Sequence, residues 1–270
     1  MPDIAVYGLG EMGADITRCI AGSGRELAAY DPVVDLSGEL PGLRQCASAG
    51  EAAAGARVHL VVLKRLSDLQ SLLFDDGALC ASAPRGSLVV LHTTLTPQTV
   101  RELHTRVRDG YGHALIDAAL SRRGGRVSEG SLSLFLGGSG ADIAAARATL
   151  EVYADNIVHA GPTGAGMTVK LCNNWLLYSN RNAALQALRT GRELGVEIDV
   201  LRQALAASTG ASWALAHYSE LDEAIIAGRG APAVARDRTA SELGMAREMA
   251  ASVGEPPTSL QEAFALIDAM

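Results

Sequence analysis

The stretch DIAVYGLGEMGADITRCIAG, residues 3–22, decides the fold. Asp3 to Tyr7 is a short β-type run, GLGEMG follows at once, and an apolar, helix-like sequence comes after it. This is GxGxxG in its proper place: Gly8 permits the tight turn, Gly10 lets backbone approach a pyrophosphate, and Gly13 lets the helix lie close to the strand. The amides at the helix N-terminus would hold the anion. A glycine turn in an unrelated α/β protein shares the triplet, so the flanking pattern has to carry the reading. The next strand, Leu27 to Tyr30, arrives on schedule and ends at Asp31. There an acidic side chain accepts hydrogen bonds from adenosine ribose hydroxyls and repels a 2′-phosphate. Asp31 followed by Pro32 favours NAD over NADP, although Arg44 is near enough in sequence to fold over a phosphate. The plainer reading is a carboxylate capping a turn before proline.

Strands and helices continue to alternate downstream. Val58–Leu63 reads as a buried parallel strand with Ser67–Phe74 as its helix, and residues 87–92 repeat the pattern. In Thr93-Thr94-Leu95-Thr96-Pro97 a threonine N-cap and an N1 proline launch a helix to about Val107. A strand at Ala114–Asp117, a loop rich in glycine and polar residues, the strand SLSLFL, a helix at Ala141–Tyr153 and a strand at Asn156–Ala160 complete a doubly wound sheet. Its ligand belongs beyond the carboxyl ends of the strands, where Gly8, Asp31, Lys64 and Thr94 fall. In the loop, Arg122 and Arg123 each offer a fork of donors to a carboxylate, sulfonate or phosphate, unless they are simply exposed.

From Thr163 strand signals vanish. GPTGAGMTVKLCNNWLLYSNRN, residues 161–182, opens a long central helix that is apolar on nearly every side. Helices are expected at Ile198–Ser208, Ala211–Leu221 and Thr239–Val253, with a last one after Pro256-Pro257. Trp213 and His217 read as a packed tryptophan and a surface histidine. In the central helix Lys170, Asn173 and Asn174 stand at i, i+3 and i+4, placing an ammonium and two carboxamides on one face. A desolvated lysine holds its proton loosely enough to exchange it near neutral pH, whereas a lysine snorkelling from a core helix would do no chemistry.

A chain of 270 residues suits two domains, and the pattern divides it into a dinucleotide-binding Rossmann domain over 1–162 and an all-helical domain over 163–270. The fold class expected is thus α/β, an N-terminal Rossmann sheet joined by the long helix to an all-α C-terminal domain. A net charge of −7 without a basic run argues against nucleic acid. Cys19, Cys46, Cys80 and Cys172 show neither disulfide nor zinc spacing, and no run is apolar enough for a signal or membrane span. The expectation is a cytoplasmic protein with free thiols and no metal.

The order of motifs resembles the β-hydroxyacid dehydrogenase family, which includes 3-hydroxyisobutyrate dehydrogenases and tartronate semialdehyde reductases. GLGEMG is similar to the family's GLGxMG, Thr93–Pro97 to its STxxP, and Asp117–Ser121 to the DAPVS that opens its substrate loop. Gly130, Ser131, Leu132, Gly137 and Gly138 match that loop's trailing GxL and GG. Gly161, Gly164, Gly166, Lys170, Asn173 and Asn174 match the segment bearing the catalytic lysine. The resemblance implies hydride transfer between NAD, or less readily NADP, and a small β-hydroxyacid or its semialdehyde, with Lys170 exchanging the proton. It puts Ser121, Arg122, Arg123, Asn173 and Asn174 on an anionic substrate, and Gly8, Leu9, Gly10, Glu11, Met12, Gly13, Asp31, Leu63, Lys64 and Thr94 on the cofactor. It also implies a homodimer or higher homo-oligomer.

The departures are as informative. Arg122 and Arg123 replace two glycines whose amides hold the substrate carboxylate in the family. In this respect the chain is similar to members that take a sulfonated aldehyde and carry an arginine. Ser241-Glu242-Leu243 replaces KDL, Lys64 replaces a proline, and the usual last helix is missing, so substrate pocket and assembly are where differences are expected. An imine reductase, similar in architecture but typically without the lysine, is one alternative. A non-catalytic dinucleotide-binding module is another.

Overall fold

The computed structural model describes residues 2–122, 127 and 132–270. Its first half alternates as the pattern requires: β1 (Ile4–Tyr7), α1 (Glu11–Gly22), β2 (Leu27–Tyr30), β3 (Leu43–Gln45), α2 (Ala49–Ala53), β4 (Val58–Val61), α3 (Leu66–Phe74), α4 (Leu79–Ser82), β5 (Leu88–Leu91) and α5 (Pro97–Tyr111). There follow β6 (Ala114–Arg122), β7 (Leu132–Gly137), α6 (Gly140–Leu150), β8 (Asn156–Gly161) and α7 (Ala165–Glu193). The strands form one sheet in the order β3-β2-β1-β4-β5-β6-β7-β8. Every neighbouring pair is parallel except β6 with β7. Short runs such as IAVY and LVVL are buried along their whole length, as strands covered by helices on both faces must be. One core packs Val6, Leu60 and Val90 against Ile16 and Ile20 of α1; the other packs Val61, Val89 and Leu91 against Leu69, Leu73 and Val100.

Two features fix the starts of helices that pack on the sheet. Helix α5 begins as the sequence foretold, Thr96 accepting a hydrogen bond from Thr99 N–H with Pro97 behind it. The second feature was not foreseen. Asp117, fully buried on β6, accepts from Gly164 N–H at 2.7 Å and Met167 N–H at 2.9 Å, with Gly166 N–H also bonded to it. These are amides that the first turn of a helix leaves without partners. A side chain at Gly166 would place its Cβ 2.8 Å from Asp117 Oδ2 and 2.2 Å from the carbonyl oxygen of Phe135, so the helix start can approach only as glycine. Burial pushes the Asp117 carboxyl up, and the amide bonds pull it part of the way back.

The chain divides into two compact units, Met1–Lys170 and Leu171–Met270, so the break falls inside α7. The first turn of α7 packs with the sheet, Met167 lying in its second core. The second unit continues α7 with α8 (Ile198–Ala206), α9 (Trp213–Ala216), α10 (Glu220–Ile226), α11 (Ala233–Ala251), α12 (Thr258–Ala263) and α13 (Ala265–Ala269). Within it α7 is amphipathic rather than apolar all round: Leu171, Tyr178, Leu185 and Leu188 are core, whereas Leu176 is 60% exposed.

The single helix expected over Ala211–Leu221 is instead two. Ser219 caps α10 reciprocally with Asp222, a capping box that starts a new helix where propensity alone would have continued the old one. Arg181 of α7 clamps the 2%-exposed Asp222 side chain through Nε and Nη2 and reaches Ser219 as well. Helix α11 begins six residues earlier than Thr239, with Pro232 at the N-cap position and its carbonyl accepting from Arg236 N–H. Trp213 is 48% exposed and stacks on His217 at 4.0 Å, so it is a surface residue and not a packed one. All four cysteines are free. Among the described residues, no helix is long and apolar enough to cross a membrane.

Two substitutions test these ties. Asp222→Ala strands the Arg181 charge and should cost about 3 kcal/mol of stability in urea unfolding. Asp117→Ala orphans the amides at the start of α7 and should cost about 3 kcal/mol in the same measurement. A loss under about 0.5 kcal/mol in either case would show that the tie contributes little.

Candidate active site

The end of β1 turns sharply into α1. Gly8 has φ +88°, and a Cβ there would lie 2.4 Å from the carbonyl oxygen of Val62; at Gly13 it would lie 1.8 Å from that of Gly8. Both glycines are demanded by the fold itself. Gly10 is different, since a Cβ on it would meet nothing within 4 Å. The first bond of α1 runs from Ala14 N–H to the carbonyl of Gly10, so the amides of Glu11, Met12 and Gly13 have no acceptor within the helix. Open space over a glycine beside helix-start amides fits a pyrophosphate.

Asp31 lies at the end of β2. Its Oδ2 accepts from Leu9 N–H at 2.7 Å and its Oδ1 from Val33 and Val34 N–H at 2.8 and 2.9 Å. Burial by itself would raise this carboxyl, but the three amide bonds outweigh it and hold the pKa below the usual value. With roughly four acceptor positions on a carboxylate, one remains for a ribose hydroxyl. A cavity of about 490 Å³ opens beside it, lined by Tyr30 to Asp35 and Gln45 to Ala47. Arg44 does not line this cavity; it reaches Glu51 instead, at 3.3 Å to the carboxylate and 3.2 Å to the carbonyl oxygen. Leu63 is half-buried with its N–H bonded to Thr93 Oγ1, Lys64 is exposed, and Thr94 is half-buried after β5. The first-unit residues expected to hold a cofactor therefore follow the carboxyl ends of β1, β2, β4 and β5.

On β6, Ser121 pairs in register with Ser133 of β7 and is half-buried. Arg122, the last residue of the strand, bonds through Nη1 to Glu11 Oε1 at 2.8 Å. Arg123, Gly130 and Ser131 lie outside the described residues. Lys170 is half-buried on α7, three residues beyond the last amide that Asp117 holds. The buried His92 has both ring nitrogens engaged, by the carbonyl of Ala118 and the hydroxyl of Tyr153. Burial lowers its pKa to about 4, so it is a neutral structural histidine.

In the helical unit Asn174 is 1% exposed. Its Nδ2 donates to Glu242 Oε2 at 3.0 Å, and Tyr178 O–H donates to the same oxygen at 2.6 Å. An ionised carboxylate only accepts, so Glu242 fixes which way the carboxamide faces. Asn173 Nδ2 reaches Asn174 Oδ1 at 3.5 Å. Burial, with the Glu242 charge beside it, pushes the Tyr178 phenol well above its ordinary pKa. The sequence marked Glu242 only as part of a departure and gave it no role. The usable signal was Tyr178, four residues after Asn174 on the same stripe, with a hydroxyl needing an acceptor.

The chain matches two family models, the NAD-binding domain of 6-phosphogluconate dehydrogenase over residues 3–161 and the NAD-binding domain of NADP-dependent 3-hydroxyisobutyrate dehydrogenase over 164–270. An NAD-dependent L-serine dehydrogenase of Pseudomonas aeruginosa is 34% identical over 221 residues, 81% of this chain and 74% of that protein. The structure of a Mycobacterium tuberculosis 3-hydroxyisobutyrate dehydrogenase with L-serine is similar at TM-score 0.83 and 25% identity, covering 99% of this chain and 93% of the other. An imine reductase from Myxococcus stipitatus shares the fold, at TM-score 0.70 and 20% identity over 98% of this chain and 94% of its own. By these matches the chain belongs to the β-hydroxyacid dehydrogenase family and is an NAD(P)-dependent oxidoreductase acting on CH–OH.

Proposed function

We propose that the protein interconverts a small β-hydroxyacid and its semialdehyde, with Lys170 as the general acid and base. The observation that carries this reading is the anchoring of the start of α7 by Asp117, which fixes the first turn of the helix that carries Lys170 three residues further on. The nicotinamide, when bound, supplies the hydride acceptor or donor. Lys170 Nζ takes the proton of the substrate hydroxyl during oxidation and returns it during reduction. Ser121 holds the substrate's acid group. Asn174, its carboxamide fixed by Glu242, orients the substrate, and Asn173 supports it. The relatives make L-serine and 3-hydroxyisobutyrate the first compounds to try.

The cofactor preferred is NAD. Asp31 and Asp35 both line the adenosine-side cavity, and the cation that could have answered a 2′-phosphate, Arg44, is engaged by Glu51. By function the dinucleotide-binding domain is residues 1–162 and the substrate and assembly domain 163–270, although the first turn of α7 packs with the sheet, and the working form is a cytoplasmic homo-oligomer.

A screen of NAD+ and NADP+ against β-hydroxyacids, read at the nicotinamide absorbance band, tests the reading. Turnover there supports it. Silence there with oxidation of NADPH by cyclic imines would contradict it in favour of an imine reductase, and silence in both with cofactor bound would leave a binding module. Lys170→Ala should lower kcat by ~10³-fold while changing cofactor affinity less than about twofold; a near-normal rate would remove the lysine from the mechanism. Asp31→Ser should narrow the NAD preference by about tenfold, and a parent that already prefers NADP+ would refute the ribose assignment.

A further inference from the structure

Glu11 and Arg122 are 111 positions apart in sequence, yet Arg122 Nη1 lies 2.8 Å from Glu11 Oε1. Glu11 is the first residue of α1, directly after Gly10. Its carboxylate therefore stands at the helix end whose amides and open glycine suit a pyrophosphate. An acid in the first turn favours the helix dipole when nothing is bound, but it repels a diphosphate arriving at the same place. A cation beside it removes that repulsion.

The pair does little for the fold itself. Its side chains are 36% and 72% exposed, and ion pairs of that kind contribute little to stability. A guanidinium has five N–H donors, so one nitrogen on Glu11 leaves a fork able to take a second anion. The strand sets the position: Arg122 closes β6, held in register against Leu132 of β7, and the Glu11 pair draws its guanidinium to the start of α1.

We propose that Arg122, steered by Glu11, is a cofactor-binding residue that takes the pyrophosphate of the dinucleotide, not the acid group of the substrate. Glu11 both positions the guanidinium and limits its grip, because the carboxylate competes with the pyrophosphate for the same donors. This rests on the dinucleotide reading but not on which hydroxyacid is turned over.

Isothermal titration of the intact protein with ADP-ribose, which contains the pyrophosphate, and with adenosine, which lacks it, tests the proposal without any turnover. Arg122→Gln should weaken ADP-ribose about tenfold at low salt and leave adenosine within about twofold. The ADP-ribose difference should shrink as ionic strength rises to ~0.5 M. Glu11→Gln should tighten ADP-ribose severalfold. Both variants should keep the parent's Tm, since neither side chain is buried. Unchanged ADP-ribose affinity in Arg122→Gln would overturn the proposal, as would an equal loss for adenosine, which would mark a structural effect. A rise in KM for the hydroxyacid with ADP-ribose binding intact would also overturn it and return Arg122 to the substrate. A parent that binds no ADP-ribose would refute the dinucleotide reading itself, and this proposal with it.

Discussion

A single buried carboxylate joins the strand that carries Ser121 to the helix that carries Lys170. Asp117 does for α7 what a cap residue within the helix does elsewhere, but from a distant strand. The difference matters because a local cap fixes only the start of a helix, whereas a cap from β6 also fixes where that start lies on the sheet. The glycine at 166 follows from the same contact, since a side chain would push the amides away from the carboxylate. The burial that raises the Asp117 carboxyl is the cost of this arrangement, and the converging amides offset part of it.

At the nucleotide end the logic runs the other way, with backbone holding a side chain in place. Asp31 is gripped by three amides, one of them from Leu9 in the glycine loop itself, so the loop after β1 and the end of β2 form one hydrogen-bonded piece. A charge fixed in this manner needs no ordering when ligand arrives. In the helical unit Glu242 does the same for Asn174, and Tyr178 completes the set. Asp31 and Asn174 are thus each constrained by neighbouring groups before any ligand arrives.

What the sequence disclosed was whatever depends on near neighbours. The glycine spacing from Gly8 to Gly13, the acid at Asp31, and the Thr96-Pro97 start of α5 are short-range patterns, and each was readable. The edge pieces β3, α2 and α4 were not. Three to five residues give too little periodicity to rise above a connection rich in glycine and serine. Ser219 was read through as helix interior because its capping partner Asp222 acquires force only with Arg181 closing on it from α7. The same holds for Asp117, which stood in a recognised motif but without a role, and for Glu242. Their partners are 47 to 68 residues away, and no local pattern announces a hydrogen bond across such a separation.

The account stands most directly on the tie between Asp117 and the start of α7, and amide hydrogen exchange of the intact protein reads it residue by residue. First-turn amides of a helix ordinarily exchange early for want of an intrahelical acceptor. Gly164 and Met167 are predicted to exchange as slowly as the central residues of β6. Exchange at the rate of exposed loop amides would contradict the claim that this carboxylate sets the helix, and with it the placement of Lys170.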